Sequence, residues 1–451
     1  MAVPEEITHR GLLFRAWPII LANMAPPLLG LADTAIIGNL GDAAALGAIA
    51  FGALILSFIY LSFGFLRMGT TGFTARAAGA GDHSEVRAIM GRALLLALVI
   101  GLLLLLLQWP LEAIAFFLLE GSPAVENAAQ VYFRIRIWGA PAALSVFVLS
   151  GIMIGLGKGR LLLALQLFLN GLNILLDLLF AGVLGMGVAG IAAGTLIAEW
   201  STFLFGGWLL YRELTVNKAH DEKFWPVARI LDSASLRNTV SANTDILLRT
   251  LVLVLSFAFF TSQSARFGDV ILAANHVLVQ FISFAAFFLD GYAFVVESLA
   301  GRAHGAGRRD VFDLTVRKST TISFFTAAAL ALLLALAGRQ VIALLTDIPE
   351  VRIAANDMLN FAALYVLLSF AAFQLDGIYI GVSRTRQMRN AAFQSAAVYL
   401  LAWWLLTERF GIDGLWWAMI IYVVARAVAL LRYLPGLRAS FAPPDQSEGI
   451  A

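Results

Sequence analysis

The chain has 451 residues, of which 60% are hydrophobic and 13% are charged, and its formal net charge is +2. A soluble protein of this length cannot bury so much apolar surface, so the composition excludes a soluble globular fold and predicts an all-α polytopic membrane protein. The absence of cysteine excludes disulfides, thiolate metal sites and cysteine nucleophiles.

Twelve apolar segments follow one another along the chain, each long enough to cross a bilayer as a helix. The first contains Pro18, Pro26 and Pro27, which predict bending of that helix. The polar start before it does not resemble a signal peptide. The predicted spans are 12–38, 45–75, 88–108, 126–154, 160–183, 188–211, 238–262, 271–300, 314–338, 351–381, 388–407 and 414–433.

Lysine and arginine are distributed unevenly between the two ends of these spans. With the N-terminus placed in the cytoplasm, 22 of these residues lie at the cytoplasmic ends and four at the opposite ends. Positive residues favour the cytoplasmic side. The pattern predicts a multi-pass protein of the plasma (inner) membrane with both termini in the cytoplasm.

The two halves of the chain resemble each other. "SGIMIGLGKGR" (150–160) matches "DGIYIGVSRTR" (376–386), and "ARAAGAG" (75–81) matches "GRAHGAG" (301–307), in both cases with the same offset along the chain. A constant offset indicates a duplicated six-helix unit. We therefore predict two pseudo-symmetric lobes, 1–213 and 237–451, joined by a cytoplasmic linker over 214–236. Paired repeats of this kind build many secondary transporters, with substrate bound near the membrane midplane.

Several polar residues lie deep within the spans of the first half. Asp33 is in the first span, and Asn170, Asn173 and Asp177 share one face of the fifth, with Thr195 on the sixth. Ionisable residues inside a membrane are costly and are usually functional. These residues predict a proton or cation site, and their oxygen atoms also suit Na⁺. Polar packing between helices is the structural alternative.

The repeat assigns this chemistry to one lobe. The offset between the two halves places Trp403 opposite Asp177 and Phe259 opposite Asp33. Fold maintenance alone would favour similar residues at paired positions, so the asymmetry suggests that the N-lobe binds the ion.

The second half has acids of its own. Three of them are candidates for a cleft that contacts substrate: Asp376, Asp290 and Glu297. The alternative is ion pairing with arginines in the spans. Such a cleft could gain adaptable apolar surface from Met24 and Met153.

Asp245 and Arg249 are four residues apart on the seventh span, a spacing that favours an ion pair within the helix.

Other chemistries have little support. The five histidines have no metal-ligand spacing, no GxxxxGK[ST] motif is present, and no nucleic-acid-binding module is visible. We expect no enzymatic activity and no cofactor apart from a coupling ion. A monomer can contain a complete two-lobe path.

Four segments carry a resemblance to a known family. They are "WPIILANMAPPLLGLADTAIIGNLG", "TARAAGAGD", "LNGLNILLDLLF" and "GVAGIAAGTLIAEW". Together with twelve spans in two lobes, they resemble the multidrug and toxic compound extrusion (MATE) transporters, most closely the DinF branch.

The resemblance implies a cation-coupled efflux antiporter for amphipathic, often cationic compounds, with H⁺ favoured over Na⁺. It implies an N-lobe cation site at Asp33, Asn173, Asp177 and Thr195, and bending of the first helix near Pro18 on protonation.

One asparagine of the family site falls near Ser150, where this chain departs from the pattern. In the NorM branch the acids lie in the C-lobe; Asp376 matches one of them, but the seventh span has no glutamate. A flippase for lipids or lipid-linked oligosaccharides, with the same superfold, is the alternative function.

Overall fold

The computed structural model describes residues 7–38, 43–118, 122–216 and 223–441, and the side chains of all of them except 26–38, 43–45, 61 and 118. Over these ranges the regular structure is helical, without a β-strand. Ten helical segments in the described residues are long and apolar enough to cross a membrane. The chain is therefore an α-helical membrane protein, while the count of twelve spans in two lobes stays a prediction.

The first half of the chain forms nine of the described helices. In order they are α1 (His9–Gly38), α2 (Ala43–Ser62), α3 (Phe65–Gly79), α4 (His83–Leu106), α5 (Gln108–Leu118), α6 (Pro123–Arg136), α7 (Ala140–Gly155), α8 (Gly159–Asp177) and α9 (Gly187–Thr215).

Three details of this half differ from uninterrupted spans. The second predicted span is divided between α2 and α3, and the fourth between α6 and α7 by a 3₁₀ turn over Ile137–Gly139. Pro141 lies in the first turn of α7, where its missing N–H costs nothing, so a new helix begins there. The short apolar helix α5 has 11 residues, too few to cross a bilayer, and its sequence did not predict a separate element.

The second half contains the remaining described helices. In order they are α10 (Val227–Ile230), α11 (Ser233–Ala265), α12 (Asp269–Gly305), α13 (Arg309–Leu345), α14 (Pro349–Gly381), α15 (Thr385–Leu431) and α16 (Leu434–Ala439).

The last two predicted spans both fall on α15. The backbone leaves helical geometry at Gly411, whose φ is 56° and ψ is −129°. Such a conformation is accessible to glycine at little cost. The break lies between the two predicted spans and accounts for the length of this element.

Two compact units partition the chain. The N-terminal unit comprises Leu21–Ala77 and Asp82–Ser241, and the C-terminal unit comprises Met1–Ile20, Ala78–Gly81 and Ala242–Ala451. The predicted lobe boundaries at 213 and 237 stay a prediction.

In the N-terminal unit, two glycines allow α7 to pack tightly against α3. A methyl group on Gly151 would lie 2.5 Å from the carbonyl oxygen of Arg67, and one on Gly155 would lie 2.7 Å from that of Thr71. Small residues four apart are typical of close contacts between membrane helices. These glycines therefore set the distance between the two helix backbones.

The C-terminal unit repeats this contact between α14 and α12. A methyl group on Gly377 would lie 2.6 Å from the carbonyl oxygen of Ala293, and one on Gly381 would lie 2.9 Å from the carbonyl carbon of Glu297. All four positions stand at the same repeat offset from their N-terminal counterparts. The offset predicted from sequence therefore pairs equivalent backbone contacts in the two units.

A described part of the linker packs on α4 in the N-terminal unit. Arg229 Nη1 donates to Asp82 Oδ2 at 2.7 Å, and Asp82 also accepts from the Glu85 N–H at 2.9 Å as the N-cap of α4. Partial burial raises the pKa of the Asp82 carboxyl, but these two donors outweigh it and hold the pKa below its usual range. Arg92 adds a hydrogen bond of 2.7 Å to the Arg229 carbonyl.

Candidate functional site

The strongest candidate site lies on the buried face of α8, in the N-terminal unit. Asn170, Asn173 and Asp177 are buried there, and Asn173 and Asp177 have no measurable exposure. Their i, i+3, i+7 spacing places them on the same side of the helix, because an α-helix has 3.6 residues per turn. The structure therefore gives this face the polar, inward orientation that the sequence predicts.

Asp177 is the last residue of α8 before the helix changes its hydrogen-bond pattern. The next six residues, Leu178–Val183, form a π-helical segment, and the Leu184 N–H donates to the Leu179 carbonyl at 2.9 Å. Single π turns within α-helices are frequent at functional sites. The carboxylate thus sits where the helix is locally widened.

Hydrogen bonds join α8 to α9 at this point. Asn173 Nδ2 donates to Asp177 Oδ2 at 2.9 Å and to Thr195 Oγ1 at 3.1 Å. The Thr195 hydroxyl in turn donates to the Ile191 carbonyl at 3.0 Å. The structure therefore brings together three of the predicted site residues, which we call the α8–α9 site.

Gly194 provides the space that this arrangement needs. A methyl group at Gly194 would lie closer than 3.0 Å to Asp177 Oδ1, and 3.3 Å from the backbone nitrogen of Asp177. Only a residue without a side chain lets α9 approach the carboxylate so closely. This positioning role was not recognised from the sequence, although the glycine directly precedes Thr195.

Two amide oxygens beside the site remain available as acceptors. The Asn170 amide donates its N–H to the Gln166 carbonyl at 2.8 Å, so Asn170 does not join the hydrogen bonds around Asp177. Within the described part of the chain, the Oδ1 atoms of Asn170 and Asn173 are buried without a hydrogen-bond partner. Buried acceptors of this kind normally find a partner, and a proton donor or a cation would supply one.

The remaining predicted residues of the first half are placed as follows. The side chains of Asp33, Pro26 and Pro27 lie outside the described residues, although their backbone belongs to α1. Pro18 and Met24 are half-buried on the same helix. Met153 is fully buried in α7.

Among the candidate acids of the C-terminal unit, Asp376 is paired with two arginines. Asp376 Oδ2 accepts from Arg249 Nη2 and from Arg426 Nη2, the latter at 2.6 Å. Asp290 is half-buried and Glu297 is buried, both on α12.

The interpretation of Asp245 and Arg249 as a pair within one helix was wrong. Asp245 instead accepts from Arg389 Nη1 at 2.7 Å and from the Thr385 hydroxyl at 3.1 Å, while Arg249 bonds to Asp376. Asp245 and Arg249 thus find their partners on other helices, α15 and α14 respectively.

A second buried ion pair lies one turn along α9 from Thr195. Arg136 Nη1 is 2.9 Å from Glu199 Oε1, and both side chains are at least nine-tenths buried. The sequence left Glu199 without an assigned role, although its i+4 spacing from Thr195 was a usable signal.

The C-terminal counterparts of the predicted ion site form an aromatic group. In the repeat, Phe259, Tyr399 and Trp403 are the counterparts of Asp33, Asn173 and Asp177. The ring centroid of Phe259 lies 5.9 Å from that of Tyr399 and 4.9 Å from that of Trp403. In this unit the fold thus brings the three equivalent positions into contact.

Comparison with known proteins agrees with this architecture. A family model described as MatE matches residues 18–179 and again 246–402, one match in each half. The chain belongs to the MATE family. It is 36% identical over 428 residues to DNA damage-inducible protein F of Escherichia coli (strain K12), and the match spans 94% of this chain and 91% of that protein.

Two further relatives extend the comparison. The chain is 26% identical over 440 residues to the chloroplastic Protein DETOXIFICATION 44 of Arabidopsis thaliana, covering 92% of this chain and 80% of that one. It shares its fold with the Vibrio cholerae MATE transporter VcmN in the bent form, with a TM-score of 0.84, 21% identity, and coverage of 96% and 97% of the two chains. Members of this family are transporters, so the chain is a membrane transporter and not an enzyme.

Proposed function

We propose that this MATE protein is a cation-coupled antiporter that exports amphipathic compounds, cationic ones among them, by alternating access. The coupling ion binds in the N-terminal unit at Asp33, Asn173, Asp177 and Thr195. H⁺ is the favoured ion and Na⁺ the alternative.

The observation that carries the proposal is the α8–α9 site. A fully buried carboxylate, Asp177, is hydrogen-bonded to Asn173, which also bonds Thr195 on the facing helix. Desolvation penalises the charged form of such a group, so an incoming cation or proton is strongly favoured. Loss of that ion changes the charge of a site that joins two helices, which gives the ion a means of changing how they pack.

The internal repeat supports the inclusion of Asp33. Its counterpart Phe259 contacts Trp403 and Tyr399, the counterparts of Asp177 and Asn173. Because duplicated units share their backbone arrangement, we expect Asp33 to approach Asp177 in the same way. In that arrangement the two carboxylates would bind the coupling ion together.

One feature of the sequence favours H⁺ over Na⁺. Sodium requires several oxygen ligands at once. One asparagine of the family site falls near Ser150, where this chain departs from the pattern. Proton binding needs only a carboxylate, and the site contains one.

Two buried carboxylates of the C-terminal unit are less suited to bind a coupling ion. Asp376 is held by Arg249 and Arg426, and Asp245 by Arg389, so both already have cationic partners. Coupling therefore falls to the N-terminal unit. Helix α1 contains both Pro18 and Asp33, and protonation of Asp33 would bend it. We expect this bend to reshape the substrate path and release the substrate.

The test is ethidium efflux from cells that express the wild type, Asp33→Asn or Asp177→Asn, with a pH gradient or a Na⁺ gradient imposed. We expect efflux from the wild type under the pH gradient and its loss in both variants at equal expression. Unchanged efflux in both variants would contradict the proposed coupling site. Absence of ethidium efflux even from the wild type would favour the flippase alternative, to be followed by assays with lipid-linked substrates.

A further inference from the structure

The C-terminal unit contains an ionic cluster with surplus positive charge. Arg249 and Arg426 both donate to one oxygen of Asp376, so two guanidinium groups share a single carboxylate. Buried charges are normally balanced, because an unbalanced one loses its hydration without compensation. Among the described residues no second acid pairs with these arginines, so the cluster lacks one negative charge.

An aromatic group continues from this cluster into the unit. The Arg426 guanidinium lies 5.9 Å from the ring centroid of Tyr422, and that ring is 5.2 Å from Tyr399. Tyr399 in turn contacts Phe259, which contacts Trp403. We define the aromatic–guanidinium array as these seven residues: Trp403, Phe259, Tyr399, Tyr422, Arg426, Arg249 and Asp376.

Two donors in this array have no acceptor. Tyr399 is 1% exposed, and neither its hydroxyl nor Trp403 Nε1 has a hydrogen-bond partner among the described residues. Buried tyrosine and tryptophan donors usually find a partner. An arginine guanidinium and an indole can only donate, so the array as a whole presents donors, aromatic faces and one uncompensated positive charge.

We propose that this array binds the transported molecule, and that the molecule is an amphipathic carboxylate with an aromatic body and an anionic or zwitterionic head. The carboxylate supplies the missing negative charge between Arg249 and Arg426, and the body packs on the aromatic rings. The three charged side chains keep 10–12% of their surface accessible. This inference rests on the proposed transport function and adds anionic and zwitterionic carboxylates to a substrate class that also includes cationic compounds.

Two fluorescent probes with the same body test the charge preference: pyrenebutyrate and pyrenebutyltrimethylammonium. Their binding to the purified full-length protein in detergent is measured by fluorescence anisotropy at neutral pH. We expect the wild type to bind the carboxylate about tenfold or more tightly than the ammonium compound, because a charge-assisted hydrogen bond contributes about that much. A preference for the ammonium probe, or no binding of the carboxylate, would overturn the proposal.

Single arginine variants are suited to this test, because each leaves Asp376 with one guanidinium. Arg426→Gln and Arg249→Gln should each weaken carboxylate binding about tenfold while the ammonium affinity holds or improves. Arg438→Gln, which removes an arginine from an exposed pair with Asp313 in the same unit, is the control and should change neither. Equal loss of both probes in the two test variants would contradict a charge-selective site.

Tyr399→Phe separates ligand binding from folding. Because the hydroxyl makes no hydrogen bond within the described protein, its removal should leave the unfolding temperature unchanged or raise it. Carboxylate affinity should fall about two- to tenfold if the hydroxyl serves the ligand. Unchanged affinity would exclude the hydroxyl from the site.

The binding assay is independent of ion coupling. Asp177→Asn should retain pyrenebutyrate binding and lose gradient-driven transport. Carboxylate binding without gradient-driven transport in the wild type would contradict the proposed antiport and leave the array intact. Gradient-driven ethidium efflux without a preference for the carboxylate probe would support the proposed antiport and contradict the proposed role of the array.

Discussion

Substitution of Gly194 by alanine tests whether the spacing between α8 and α9 sets ion coupling. The added methyl group would lie closer than 3.0 Å to Asp177 Oδ1 and 3.3 Å from the Asp177 backbone nitrogen. The backbone cannot yield easily, so the carboxylate must move, and its hydrogen bond from Asn173 must lengthen or break.

The expected magnitude has two parts. Overpacking in a filled core lowers the free energy of unfolding by about 1–3 kcal/mol, and the better helix propensity of alanine offsets about 1 kcal/mol of that loss. Loss of a hydrogen bond to a charged group costs about 1.5–3 kcal/mol, which corresponds to about a tenfold or larger change in affinity for the coupling ion. We therefore expect a modest loss of stability and a large loss of coupling.

The assay combines ethidium efflux under an imposed pH gradient with thermal unfolding in detergent. Gly207→Ala is a matched control, since Gly207 is on the same helix and, in the described part of the chain, its added methyl group would meet nothing within 4 Å beyond the backbone of α9 itself. The control should transport normally and unfold at the same or a higher temperature. The apparent pH of half-maximal efflux should move only in Gly194→Ala.

If Gly194→Ala transported like Gly207→Ala, with an unchanged pH profile, the close approach of α9 to Asp177 would have no part in coupling. If it failed only because the protein did not fold, the unfolding measurement would show it.

Three further predictions concern other contacts. Asn173→Leu should abolish gradient-driven efflux at near-normal expression, because it removes both hydrogen bonds that join Asp177 to the facing helix; normal efflux would refute this. Arg389→Gln should destabilise the protein by about 3–5 kcal/mol by stranding buried Asp245, and the double variant with Asp245→Asn should recover most of the unfolding temperature. Asp82 has a lowered pKa, so its ionised form stabilises the fold above about pH 4, and this stabilisation is lost as the pH falls through that pKa. The difference in unfolding temperature between the wild type and Asp82→Asn should therefore shrink more between pH 5 and pH 2 than above pH 5.

Hydrophobic length and repetition were enough to predict the helical membrane class and the duplication. The helix face that carries Asn173 and Asp177 follows from spacing alone, because helix geometry is local. Thr195 was named from its place on the sixth span as a candidate neighbour, and the structure supplies the geometry of its link to Asn173.

Partners from distant parts of the chain could not be predicted in this way. Asp376 is 127 residues from Arg249 and 50 from Arg426, and no local pattern connects them. The same limit explains the error at Asp245, where the i, i+4 spacing suggested a local partner while Arg389 lies 144 residues away. Spacing along the sequence indicates which residues can meet on one helix, but it does not indicate which residues of another helix compete for the same partner.

The two units keep the same packing and differ in chemistry. Gly151 and Gly377 pack equivalent helices together through equivalent carbonyl contacts, so this helix contact is the same in both units. At the position equivalent to Asp177, however, the C-terminal unit has Trp403.

Such a change could not persist if both copies bound the ion, because an indole has neither the charge nor the acceptor that a proton or a cation needs. The presence of Trp403 is compatible with separate roles for the two units, in which the N-terminal unit binds the ion and the C-terminal unit binds the substrate. Reciprocal substitution follows as a test of that division: Trp403→Asp should not restore coupling to Asp177→Asn, because the aromatic neighbours Phe259 and Tyr399 cannot complete an ion site. Recovery of pH-driven efflux in the double variant would show that the two units are still interchangeable.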